Sequence, residues 1–168
     1  TPVREALARL ADEGLIETKP HSYTRVTPLD ADAVRDAHAV VQSMHGLATR
    51  LAVPKLTSDH VTAMREANAT FAAAVDAGAL EEAIACDDAF HDVLVQASEN
   101  RAIAATVRRY TPQLHRAIYL YFGSPLGRDS APMHDRIIAA CEAGDADQAS
   151  TLAEQNWANL AVLLQEKS

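Results

Sequence analysis

The sequence predicts an all-α protein: an antiparallel bundle of about six helices, preceded by a short helix and a β-hairpin. Three observations carry this. From residue 28 onward almost every segment is alanine-rich, with apolar residues recurring at helical spacing. The breaks between segments hold proline, glycine or a residue able to cap a helix. No alternating strand pattern occurs beyond Val26. The chain has 168 residues, enough for one good-sized domain and a small N-terminal piece. We divide it at 1–27 and 28–168.

In the N-terminal piece, Pro2 fits a first helical turn, where its missing N–H would be unpaired anyway. Val3, Leu7 and Leu10 follow at helical spacing, and Gly14 can take the left-handed turn that stops a helix. Arg4 and Arg9 lie off this apolar stripe, free to reach phosphates or base edges. Residues 15–19 and 23–26 are short runs with β-branched residues, separated by Pro20-His21-Ser22, and predict a hairpin without the Asn-Gly turn that would fix it.

Pro28-Leu29-Asp30 breaks the pattern and serves as both linker and helix start. Helices are expected over 31–53, 58–77, 79–98, 101–122, 131–143 and 146–166. Pro54 follows the first, and Ser58 or Asp59 can cap the second. Gly78 separates the second from the third, and Asn100 caps the fourth. Gly123-Ser124-Pro125 ends that fourth helix, and Gly144-Asp145 marks the last break. Short connections between such helices mean antiparallel neighbours.

The formal net charge is −8. Acids and bases cancel up to Val26, so the excess belongs to the main body, which argues against that body wrapping a phosphate backbone. Two cysteines, Cys86 and Cys141, are too few for a disulfide framework and fit a reducing cytoplasm, where they read as small core residues. No apolar run is long enough to span a membrane, and no signal peptide is visible.

Polar residues standing where leucines should stand are the candidate site. On the third bundle helix, Leu80, Ile84, Leu94 and Val95 define the buried stripe, and Asp87 and His91 project into it. On the fifth, His134 shares a face with Ile137, Ile138 and Cys141. On the last, Asn156 sits among Ala149, Leu152, Ala153, Leu160 and Leu163. Buried without partners such groups would cost several kcal/mol (about 2–7 each), so they pair with each other, with water or with a metal. The first helix carries a continuous stripe through Ala37, Val41, Met44, Ala48 and Leu51, with His45 at its edge as a boundary or pocket residue. The fourth carries Ile103, Val107, Tyr110, Leu114, Ile118 and Tyr121 as core. Arg101, Arg108 and His115 lie to one side of that stripe, Arg109 and Arg116 opposite. An arginine there could clamp a carboxylate. Trp157 and the terminal leucines read as packing.

Two stretches carry a family resemblance. Residues 1–16, from Thr1-Pro2-Val3-Arg4-Glu5 to Gly14-Leu15-Ile16, resemble the recognition helix of a GntR-type winged-helix transcription regulator, and the hairpin resembles its wing. The family usually has glycines at the wing tip, where this chain has His21 and Tyr23. Thr1, Arg4, Arg9 and Arg25 are then the implied DNA contacts. The helices that precede a recognition helix are absent, so this fragment alone is not expected to bind DNA tightly. Further on, Asp87-Asp88-Ala89-Phe90-His91 with Ala97-Ser98-Glu99-Asn100 is similar to the D-x-x-F-H…A-S-x-N signature of the FCD-type effector domain. His134-Asp135-Arg136-Ile137-Ile138 with Ala143-Gly144-Asp145 resembles its H-x-x-I…A-G-D stretch.

The resemblance implies a homodimeric, cytoplasmic regulator that binds operator DNA through its intact N-terminal domain. Its helical domain would bind a small metabolite, often a carboxylate, beside a divalent metal. The family's metal ligands are an Asp and three His; Asp87, His91 and His134 match, and Asn156 stands where the third His is expected. An amide oxygen is a weaker ligand than imidazole for zinc- or nickel-like ions. The site would bind metal more loosely, keep an extra water, favour a harder manganese-like ion, or replace metal by hydrogen bonds. The family's effector-holding arginine on the first helix is also missing, with Val41, Met44 and His45 in its region, which weakens the case for a simple dicarboxylate. His45, Arg108 and His115 are the candidate effector contacts.

Two other functions fit parts of the pattern. Two histidines and a carboxylate with open positions also serve metal-dependent enzymes, though no separate general base or oxyanion device is evident. A structural dimerisation bundle could use the polar cluster only to fix helix register.

Overall fold

The computed structural model describes residues 2–20, 22–121 and 129–165, and the side chains of all of these except 120, 121 and 159–165. The chain opens with α1 (Pro2–Asp12), followed by the antiparallel strands β1 (Ile16–Lys19) and β2 (Tyr23–Val26). The bundle is α2 (Ala31–Ala52), α3 (Ser58–Ala77), α4 (Leu80–Ala97), α5 (Arg101–Tyr121), α6 (Ser130–Glu142) and α7 (Ala146–Gln165), with a 3₁₀ turn at Val53–Lys55. The predicted all-α architecture and the hairpin are therefore present. Thr1, His21 and the predicted helix stop at Gly123-Ser124-Pro125 lie outside the described residues.

The ends follow from the residues that stand there. Asp30 Oδ1 accepts from the backbone N–H of Asp32 and Ala33, capping α2. At α3 the cap is Thr57, one residue earlier than the predicted Ser58 or Asp59, because Thr57 and His60 satisfy each other's backbone N–H reciprocally. Asn100 caps α5 through the N–H of Ala102 and Ile103, and Asp145 accepts from the N–H of Gln148 at the start of α7. Gly78 ends α3 at φ 68°, a conformation that costs a Cβ-bearing residue about 1–2 kcal/mol.

Register in the hairpin pairs Ile16 with Val26 and Glu17 with Arg25, and the two side chains of the latter pair form an ion pair. In the bundle, α2 packs on α7, α5 and α4, while α3 packs on α4 and α6, and α6 on α7. A first core of Met64, Phe90, Leu94, Ile137, Ile138 and Leu152 joins α3, α4, α6 and α7. A second, with Val34, Val41, Leu114 and Trp157, joins α2, α5 and α7.

One buried face is wider than its prediction: on α2 the expected Ala37, Val41 and Ala48 are buried, with polar neighbours beside them. Leu51 is exposed and Met44 only half-buried, whereas His38, His45 and Thr49 are buried. Three neighbouring helices enclose α2, so its buried arc is wider than an apolar stripe alone indicates, and polar residues fall inside it. The A-S-x-N stretch also acquires a structural role: Ser98 Oγ donates to the carbonyl of Val95 and accepts from the N–H of Asn100, building the α4–α5 corner.

Candidate metal centre

Asp87 and His91 are one helical turn apart on α4, His134 enters from α6 and Asn156 from α7, all aimed at one point in the bundle. Asp87 Oδ1 lies 3.4 Å from His134 Nε2, and its Oδ2 lies 3.9 Å from His91 Nε2. One ligand atom from each of these three residues falls within 4.8 Å of the others, a spacing close to what a shared ion requires. Asn156 Nδ2 sits 3.2 Å from His91 Nε2 and 3.3 Å from His134 Nε2. An amide NH₂ has two hydrogens, so it can donate to both imidazole lone pairs, and those lone pairs therefore converge.

Aromatic packing holds the rings. Phe90 stacks on His134 with centroids 3.9 Å apart, and His91 meets His134 edge-on at 5.2 Å. His45 stacks flat on Trp157 at 4.6 Å and lies 5.0 Å from His91. His38 Nε2 donates to the carbonyl of Trp157 at 2.7 Å, fixing that end of α7.

Asn68, on α3, completes the arrangement. Its Oδ1 accepts from His134 Nδ1–H at 2.9 Å, while its Nδ2 donates to Asp135 Oδ1 at 2.9 Å and to the carbonyl of Ala131 at 3.1 Å. The two donor bonds fix which way the amide faces. His134 is thus held in the tautomer that leaves Nε2 unprotonated toward the cluster, the usual outer support of a metal-bound imidazole.

The electrostatics favour neutral imidazoles. Burial pushes both His45 and His134 down to about 3. Burial, then the neighbouring His45 and His134, lowers His91 well below its ordinary value. Asp87 moves the other way, up to about 7, through burial and the adjacent Asp88 carboxylate, with His115 opposing. A carboxylate so placed gains from a cation that would neutralise it.

Whether the residues fit a metal is tested by what remains unpaired. His91 Nδ1, Asn156 Oδ1 and Trp157 Nε1 are buried without a hydrogen-bond partner among the described residues. Half a turn of the Asn156 amide would exchange Oδ1 for Nδ2 at the centre and give that oxygen a cation to face. One carboxylate, two neutral imidazoles and one amide oxygen form a set that suits a divalent ion, weaker than three imidazoles would be.

The other candidate residues do not join this set of ligand atoms. His45 lies beside it, against His91. His115 Nε2 contacts Asp88 Oδ1 at 3.1 Å, one residue along from Asp87. Arg108 is exposed and lines a cleft of about 750 Å³ between α1 and α5, together with Arg9, Asp12, Glu13 and Arg109. Arg4 is exposed on α1, and Arg25 extends from the hairpin over the Tyr23 ring at 4.8 Å. Asn68 and Trp157 were not singled out as site residues by sequence reasoning. Asn68 had a signal, since it stands on the buried stripe of α3 between Met64 and Phe71.

This arrangement of helices is shared with GntR-family regulators of known structure. McbR/YncC of E. coli superimposes with a TM-score of 0.85 at 20% identity, over 98% of this chain and 84% of that one. A GntR-family transcriptional regulator from Pseudomonas syringae pv. tomato gives 0.62 at 22% identity, over 99% and 70%. The chain belongs to the FCD domain family, whose sequence profile matches residues 36–159. Among curated relatives, the probable D-xylose utilization operon transcriptional repressor of Paenarthrobacter nicotinovorans is 28% identical over 149 residues, covering 89% of this chain and 66% of that protein. The HTH-type transcriptional repressor RspR of Escherichia coli K12 is 25% identical over 121 residues, covering 72% and 53%. The chain thus spans between about half and two thirds of the relatives it matches. These relatives are transcriptional regulators and not enzymes. No helix among the described residues is long and apolar enough to cross a membrane.

Proposed function

We propose that this chain is the metabolite-sensing part of a GntR-family transcriptional repressor, carrying at residues 1–27 the end of its DNA-reading domain and at 28–168 its effector and dimerisation domain. The convergence of Asp87, His91 and His134, from two helices, on one point carries the reading. Asp87, His91, His134 and, through Oδ1, Asn156 would hold a divalent ion, which when bound supplies a Lewis-acidic anchor for a carboxylate or hydroxyl of the metabolite. Asn68 orients His134 for that role. His45 and Trp157 form an aromatic wall beside His91 that suits the apolar or planar part of a small ligand. A regulator of this kind works as a homodimer on operator DNA in the cytoplasm.

The test is binding of the full-length parent protein to the DNA upstream of its own operon, followed by fluorescence anisotropy. Sub-micromolar binding that changes on titration with candidate carboxylates supports the reading, and failure to bind any promoter segment contradicts it. One observation favours a second reading. Hydrogen bonds run unbroken along Asp135–Asn68–His134–Asn156–His91, so the cluster could serve only to fix helix register. That reading predicts neither metal uptake nor stabilisation by any small molecule.

A further inference from the structure

The N-terminal helix is held by very little of its own. It has 11 residues and no buried residue, and helices this short are marginal in water. Besides the turn into β1, where the Leu15 N–H donates to the carbonyl of Leu10, it is tied to α5. Gln113 Nε2 donates to the carbonyl of Glu13 at 2.9 Å, just past the C-terminal end of α1. The next residue, Gly14, turns at φ 73°, and a Cβ there would stand 2.6 Å from Gln113 Nε2, so the amide reaches the carbonyl only because residue 14 is bare. One turn earlier on α5, Arg109 faces Asp12 at 3.6 Å. On the other side, Arg116 donates to Thr27 Oγ1 at 3.2 Å, and that hydroxyl donates to the carbonyl of Gly14 at 2.7 Å.

The same stretch of α5 also reaches α4, the helix that carries Asp87 and His91, through His115, whose Nε2 meets Asp88 Oδ1, next in the chain to Asp87. Pro112 lies inside this turn and lacks the N–H that would bond back to the preceding turn, yet α5 runs on through it as one helix.

We propose that Gln113 seats the DNA-reading helix on the effector domain, and that the His115–Asp88 contact ties this seat to the Asp87 cluster. Residues 112–116 then act as one bar, with the DNA-reading element on one side and the ligand-bearing helix α4 on the other. Gln113 and His115 are positioning residues in this scheme: neither needs to touch DNA or metabolite. The consequence for DNA rests on the proposed function above, but the docking itself does not.

The experiment is hydrogen–deuterium exchange by mass spectrometry on the metal-free 168-residue chain, comparing wild type with Gln113→Ala, Gln113→Glu and His115→Ala. Loss of one net hydrogen bond predicts exchange about fivefold faster over residues 3–19 in both Gln113 variants. Helices α3 and α6 should remain within about twofold of wild type, against that same one-bond scale. His115→Ala, which touches nothing on α1, should also speed exchange over residues 3–19. Unchanged protection of α1 in Gln113→Ala, or full protection in Gln113→Glu, would overturn the seat, the latter because it would show a packing role only. Equal acceleration in all helices would overturn it too, as global loosening. Acceleration in the Gln113 variants but none in His115→Ala would overturn the tie to the cluster. No DNA enters this experiment, so its failure is distinct from a failure to bind promoter DNA.

Discussion

Replacing Asn68 by alanine removes the acceptor that holds His134, and the structure gives the size of the effect. His134 is fully buried, so its Nδ1–H would have no partner, which costs about 1–3 kcal/mol. Asp135 is exposed and its carboxylate can turn to water, so it adds little. We expect Asn68→Ala to lose about 2 kcal/mol in urea denaturation of the metal-free protein, or a Tm lower by roughly 4–8 °C for a chain of this size. Outer-shell partners of a metal-bound imidazole are worth about 10–100-fold in affinity. Zinc binding, measured by competition with a chromophoric chelator, should weaken by that factor. Asn68→Asp separates the two effects. It restores an acceptor for His134 while setting a carboxylate oxygen against the carbonyl of Ala131, where Asn68 now donates, so it should recover zinc affinity but not stability. An Asn68→Ala protein as stable as wild type, with unchanged zinc affinity, would refute the role assigned to the Asp135–Asn68–His134 chain.

Three further outcomes follow from the same geometry. Gly46 lets α7 approach α2, since a Cβ there would run into the Glu154 side chain; overpacking of about 1–3 kcal/mol exceeds the roughly 1 kcal/mol that alanine gains in a helix. Gly46→Ala should therefore destabilise in thermal denaturation, and adding Glu154→Ala should reverse the sign. His45 has its folded pKa near 3 against 6.5 unfolded, so the unfolded chain binds the extra proton between these values, and stability is lost as pH falls below about 6.5. At pH 5 this amounts to about 2 kcal/mol, and His45→Phe should flatten the pH dependence of urea denaturation between pH 7 and 5 by about that amount. Asn156→His should tighten zinc binding about tenfold or more in the chelator competition, because imidazole replaces a neutral amide oxygen.

How much of this was legible in the sequence depends on what set each feature. Helix positions were, because caps and breakers are local: Asp30, Gly78, Asn100 and Asp145 each act within their own turn. The convergence of Asp87, His91, His134 and Asn156 was also legible, since each is a polar residue on an apolar stripe. Asn68 obeys the same rule between Met64 and Phe71 and was within reach of it. His45 was legible only as an edge residue, boundary or pocket, because α2 is enclosed by three helices and its buried arc widens to take in His38, His45 and Thr49. Trp157 reads as packing on α7, and its stacking on His45 is a cross-helix contact that one helix's pattern does not show. The divergence of Arg108 and His115 was equally hidden. They share one side of α5 in the pattern, yet one lines the cleft beside α1 and the other meets Asp88, because helix-to-helix packing decides what each direction faces.

The measurement that bears most directly on the account is the metal content of untagged protein purified without chelators, compared with Asp87→Ala. About one divalent ion per chain is expected in wild type, from the ligand set of Asp87, His91 and His134, and little or none in a folded Asp87→Ala protein. Metal absent from both, even after incubation with zinc, nickel and manganese, or metal retained in the variant, would contradict it.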